Sequence, residues 1–176
     1  MATTYHYYKE GYAVPYDAFG HVLLRRHLDV PAIIASGAAG YSPLAVAGVR
    51  TALESTGFAA TDILQLWRVP AGVLLLGGGI RVSTGGSATT IDFGHASATA
   101  TMAEAAEGDR WLDAADLTAA GYINFDTEDG NEWTAFDGNY GVQTLSIGNL
   151  SLDITFNGAA ETTLIADFWM FGYKVY

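Results

Sequence analysis

The stretch RVPAGVLLLGGGIRV, Arg68 to Val82, decides how the chain is read. A Val-Pro-Ala-Gly turn leads into apolar residues, three consecutive glycines and apolar residues again. Three structures compete for such a pattern: a phosphate-cradling loop, a membrane segment and buried strands. A P-loop closes on Gly-Lys-Ser/Thr, and the dinucleotide fingerprint opens a helix after its glycines. Here Gly79 runs straight into Ile80, Arg81, Val82, Ser83 and Thr84, a strand pattern with no lysine. The uninterrupted apolar run Val73–Leu76 is far short of the ~20 residues of a membrane helix. Consecutive glycines inside a strand mark a bulge, a corner or a place where another backbone comes close. The stretch is therefore expected to be a kinked, buried strand.

Working outward from it, the chain alternates. DILQLWRVP sets Ile63, Gln65, Trp67 and Val69 against Leu64, Leu66 and Arg68. Beyond the glycines, Ile80, Val82 and Thr84 share one face. GSATTIDFGH turns Thr89, Ile91 and Phe93 inward, and GYINFD is a short strand before the acidic turn DTEDGNEW. TLSIGNLSLDITFNG places Leu150, Leu152, Ile154 and Phe156 opposite Ser151, Asp153 and Thr155, and Asn157-Gly158 is a hairpin signal. The last segment, TTLIADFWMFGYKVY, is apolar on both faces except at Asp167 and Lys174, as a central or interfacial strand is. About eight strands separated by turn signals, with no crossover helices, predict an all-β fold. The form expected is an antiparallel two-sheet β-sandwich, most simply a jelly roll.

Residues 1–56 read differently. TTYHYYKEGYAVPYDAFGH is aromatic without a clear period, and the following apolar pieces are cut by Pro31, Gly37, Gly40 and Pro43. Pro43 suits a first helical turn and Gly57 a C-terminal cap, which predicts a short helix over Pro43–Thr56. So many aromatics would be a sticky patch on a monomer. The division expected is an extended N-terminal arm, residues 1–56, lying along a neighbouring molecule, and a β-sandwich domain, residues 57–176.

Composition narrows the function. Half the residues are apolar, which excludes a disordered chain. With no cysteine, neither disulfides nor Cys-based zinc sites are available. The start, MATTYHYYKEGY, lacks the features of a signal peptide, so a soluble protein made in the cytoplasm is expected. The net charge of −11 is uneven: residues 1–90 hold six cations and five carboxylates, residues 91–176 two cations and fourteen carboxylates. Such a half repels nucleic acid and anionic membranes. It is either a solvated face or a docking face for a basic partner.

Candidate chemistry is sparse. His6, His21, His27 and His95 show no metal-ligand spacing. Ser42 and Ser87 lie near glycines without the nucleophile-elbow pattern. Asp113 and Asp116 form one carboxylate pair. Asp126, Glu128 and Asp129 form a second cluster, in which the calcium-loop order is broken. Trp133, Phe136 and Tyr140 beside that turn serve either as packing or as a sugar-stacking shelf. No catalytic, cofactor or metal residue is nominated, and no enzyme is expected.

Three passages carry a resemblance: GFAATDILQLWRVPAGVLLLGGGIRVSTGGSATTIDFG, DRWLDAADLTAAGY and LSLDITFNGAAETTLIADFWMFGYKV, spanning roughly residues 57–175. They resemble small virion proteins of tailed bacteriophages, encoded near the head genes. The resemblance implies a jelly-roll decoration or cement protein on the capsid exterior, commonly trimeric, with the major capsid protein as partner and no active-site residues. A tail or head-fibre component and a carbohydrate-binding jelly roll are the competing readings.

Overall fold

A computed structural model describes residues 4–6, 20–35, 57–87, 89–97, 107–125, 144–145 and 150–175. In chain order the elements are β1 (Thr4–His6), β2 (His21–Asp29), α1 (Val30–Ala35), β3 (Ile63–Val69), β4 (Val73–Thr84), β5 (Thr89–Ser97), β6 (Glu107–Asp116), β7 (Gly121–Asn124), β8 (Thr144–Leu145), β9 (Leu150–Gly158) and β10 (Ile165–Lys174). Sheet I runs β2-β10-β4-β7, with β8 also on β4; sheet II runs β1-β3-β9-β5-β6. β1 joins β3 in parallel, and the other pairings are antiparallel.

The pairings have one simple origin. β2 pairs β10, β3 pairs β9, β4 pairs β7 and β5 pairs β6, so the chain doubles back on itself as a long two-stranded ribbon. Wrapping that ribbon sends alternate pairs to opposite sheets, and β10·β4 and β9·β5 stitch each sheet together. That is a jelly roll, as the alternation predicted.

Between the sheets lies one core. Phe93 of sheet II packs on Phe125 at 4.9 Å, Trp111 at 5.5 Å and Phe168 of sheet I at 6.2 Å between ring centroids. Phe58 stacks on Phe156 at 4.6 Å. Such pairs add about 0.5–1.5 kcal/mol each beyond the area they bury.

Two bulges reset which side chains face this core. In β3 the register against β9 slips between Gln65 and Trp67, so Leu64 and Leu66 point inward before the slip and Trp67 and Val69 after it. The strict alternation expected for DILQLWRVP is broken there, because an extra residue inverts the side-chain parity. In β4, Phe171 faces Gly77 while Gly172 faces Leu75, leaving Leu76 as the extra residue beside the glycines.

The predicted boundary after residue 56 is corrected by β2. Residues 20–35 belong to the sandwich: β2 lies along β10 over its whole length, with Val22, Leu24 and Leu28 buried, and Val30 and Ile33 of α1 follow them into the core. The alternation is hidden in the sequence because Leu23 points outward and Arg26 inward, where Arg26 Nη2 donates to the Leu66 carbonyl at 3.2 Å. Asp29 starts α1 by accepting from the Ala32 amide at 2.8 Å. The helix expected over Pro43–Thr56 lies outside the described residues.

Candidate functional site: the outer face of sheet I

β10 is central in sheet I, and its two faces differ. Ala166, Phe168 and Met170 are buried, whereas Trp169, Phe171 and Tyr173 point away from the core. The register lines up the outward rows. Asp167 lies between His27 and Arg81, Trp169 between Arg25 and Gly79, Phe171 between Leu23 and Gly77, and Tyr173 between His21 and Leu74. Tyr122 of β7 extends the Arg81 row.

The large hydrophobics most open to solvent among the described residues gather here. Leu23, Tyr122, Phe171 and Tyr173 are 47%, 69%, 45% and 42% exposed, and Val175 at the end of β10 is 46% exposed. Exposed apolar side chains gathered on one face make it a candidate contact surface.

Polar groups frame the patch. His27 Nδ1 and Asp167 Oδ1 are 2.8 Å apart, Arg81 lies over the Tyr122 ring at 5.8 Å, and the His21 and Tyr173 rings are 4.9 Å apart. Arg25 and Arg81 are exposed, and among the described residues neither is in an ion pair with a carboxylate.

The glycines make this face possible. A Cβ on Gly79 would lie 2.5 Å from Cζ2 of Trp169 and 2.7 Å from the Ile123 carbonyl, so the indole rests directly on the glycine from outside. A Cβ on Gly78 would meet the Trp169 carbonyl, Phe125 Cε2 at 2.7 Å and Met170 Sδ at 2.9 Å on the core side. The run is a close-approach site with aromatic rings on both faces, as the sequence led us to expect.

The other sequence candidates are dispersed. His95 is buried against Trp111, with ring centroids 5.8 Å apart, while His21 and His27 are on the sheet I face and His6 is on β1. Among the described residues no group of three or more His, Cys, Asp or Glu is placed to hold a metal ion. Ser87 is engaged structurally: its hydroxyl donates to the Ala160 carbonyl at 2.8 Å, and its amide donates to Glu161 at 3.0 Å. Asp113 and Asp116 are exposed on β6, and hydrogen bonds from Thr118 hold the Asp116 carboxyl below its ordinary range. Ser42, the Asp126–Asp129 cluster and the aromatics Trp133, Phe136 and Tyr140 lie outside the described residues.

Three buried carboxylates among the described residues went unnoticed in the sequence: Asp62, which accepts from the Ala59 amide at 2.9 Å, Glu161 and Asp153. Glu161 accepts from the amides of Ser87, Thr163 and Leu164 and ties two turns together. Asp153 is on the outward side of sheet II yet buried, with Gln65 donating to Ser151 at 3.2 Å and Ser151 to Asp153 at 3.2 Å. Burial pushes its carboxyl up to about 6, against the hydrogen bonds from Ser151 and Gln65. A Ser-x-Asp pair on a strand reads as solvent-facing, so its burial leaves no signal in the sequence.

No protein-family model matches the chain, and no curated protein matches it. Among solved structures, it is similar in fold to a chain described as the capsid of Ralstonia phage GP4, at 16% identity and a TM-score of 0.50. The likeness covers 92% of this chain and 89% of that one.

Proposed function

We propose that the chain is a virion structural protein: a decoration or cement protein that binds the outside of a bacteriophage head and stabilises it by bridging neighbouring subunits, as a trimer. The observation that carries this reading is the exposed aromatic face of sheet I on a jelly roll similar to a phage capsid chain. An assembly protein needs a preformed apolar contact surface held on rigid strands, and this face is one. The role is structural rather than catalytic, with the major capsid protein as partner and neither nucleic acid nor membrane as a target. Among the described residues, no helix is long and apolar enough to cross a membrane.

The test is a particle reconstruction combined with quantification of the chain in purified virions. Density on the outer shell and a copy number comparable with the shell subunit are expected. A few copies confined to the neck, tail or fibre base would replace this reading with the tail or head-fibre one.

A further inference from the structure

We infer that the outer face of sheet I is where one copy of this chain grips the next, meeting a different, acidic part of its neighbour in a head-to-tail ring. The inference rests on the oligomeric reading above and adds which surface makes the contact and how.

The centre of the face is Leu23, Trp169, Phe171 and Tyr173, contributed by adjacent strands in consecutive rows. Arg25 lies beside Trp169 and Arg81 beside Asp167 in the neighbouring row, both exposed and without a carboxylate partner among the described residues. The carboxylates nearby are already engaged: Asp167 with His27 at 2.8 Å, and Asp29 with the Ala32 amide at 2.8 Å. What the face offers an incoming surface is therefore an aromatic centre and two guanidiniums. Guanidiniums beside aromatics match planar carboxylates.

A second copy supplies that chemistry. The chain carries 19 carboxylates against 8 lysines and arginines, so most approaches of two copies are repulsive. On this face the repulsion is replaced by two cations that the neighbour's carboxylates satisfy. Pairing the face with itself would set Arg25 and Arg81 of both copies on one interface, where Asp167 and Asp29 are already engaged and leave the guanidiniums unmatched. A different patch on the neighbour avoids this, and such a heterologous contact closes into a ring when its rotation is a whole fraction of a turn, as in a trimer.

The test uses the full chain. Wild type at micromolar concentration is expected to sediment as an oligomer that weakens with added salt. Phe171→Glu, and independently Arg25→Glu with Arg81→Glu, are expected to weaken association by about tenfold or more, with unchanged circular dichroism because these side chains are exposed. A tagged Phe171→Glu chain co-expressed with untagged wild type is expected to capture it, since the variant retains the patch that wild type grips. Variants that assemble like wild type would overturn the inference, as would variants that assemble normally but lose only shell binding. Failure of capture would overturn the head-to-tail arrangement. A monomeric wild type would instead refute the oligomeric reading beneath it.

Discussion

Gly78 and Gly79 have opposite sides of sheet I to keep clear, and a side chain at either position has a specific cost. Gly78→Val puts its Cβ into the Trp169 carbonyl and against Phe125 and Met170, all fixed by packing. Overpacking of this kind costs about 1–3 kcal/mol, a large part of the ~5–15 kcal/mol that holds a typical domain. Thermal melting should show a clear drop, with no response of either protein to ATP or GTP; a nucleotide-dependent rise in the wild type would contradict the structural role of the glycines. Asp153 gives a prediction of opposite sign. Its carboxyl titrates near 6 when folded, above the ordinary 3.8. The folded chain thus holds a proton that the unfolded chain releases, so stability falls as pH rises from about 4 to about 6 and then levels. Asp153→Asn stays neutral throughout. Its melting temperature should match wild type near pH 4 and exceed it above pH 6.5, by at most about 3 kcal/mol in stability. A difference independent of pH would mean that Asp153 is not the titrating group.

The strands differ in how openly the sequence announces them. β9 carries clean apolar alternation, and β4 and β10 carry longer apolar runs, so their positions were legible, as was the jelly-roll class that follows from them. β2 was not, because an outward leucine and an inward arginine erase the period over a short strand. The glycine run was legible as a close approach, but the rings that rest on it come from Trp169 and Phe125, distant in sequence. For the same reason the candidate face was only half visible. The apolar outer side of β10 was apparent in the sequence, whereas its neighbours Leu23, Arg25 and Arg81 are set by register. β2 also changes what a truncation does. A chain beginning at residue 57 loses Val22, Leu24, Leu28 and Val30 from the core. At about 1.5–3 kcal/mol for each buried aliphatic, that loss rivals the whole stability of a domain. Circular dichroism should show it unfolded or aggregated, and a cooperative β melt from that fragment would show β2 to be dispensable.

Across the whole molecule, order is expected to follow position in the sheets. β10 lies between β2 and β4, and β9 between β3 and β5, so their amides are bonded from both sides. Hydrogen exchange should find the slowest amides in these two strands and faster exchange in the edge strands β2 and β7. Slowest exchange in β7 would contradict the strand order. The pairings also span most of the chain, Val22 with Gly172 and Leu64 with Ile154. Contacts so distant in sequence make folding slow relative to helical domains of this size.

The pairing of β2 with β10 has a consequence for synthesis. A ribosome making this chain releases β2 early, but its partner emerges only after residue 165 has been added. Until then Val22, Leu24 and Leu28 have no sheet to close on. The aromatic face has the same dependence, since Leu23 belongs to an early strand and Trp169, Phe171 and Tyr173 to the last one. A translation product that stops short of β10 cannot display the surface through which copies would join. On the proposed assembly, competence to join would report that translation has passed β10, and prematurely terminated chains would be kept out without a separate inspection step.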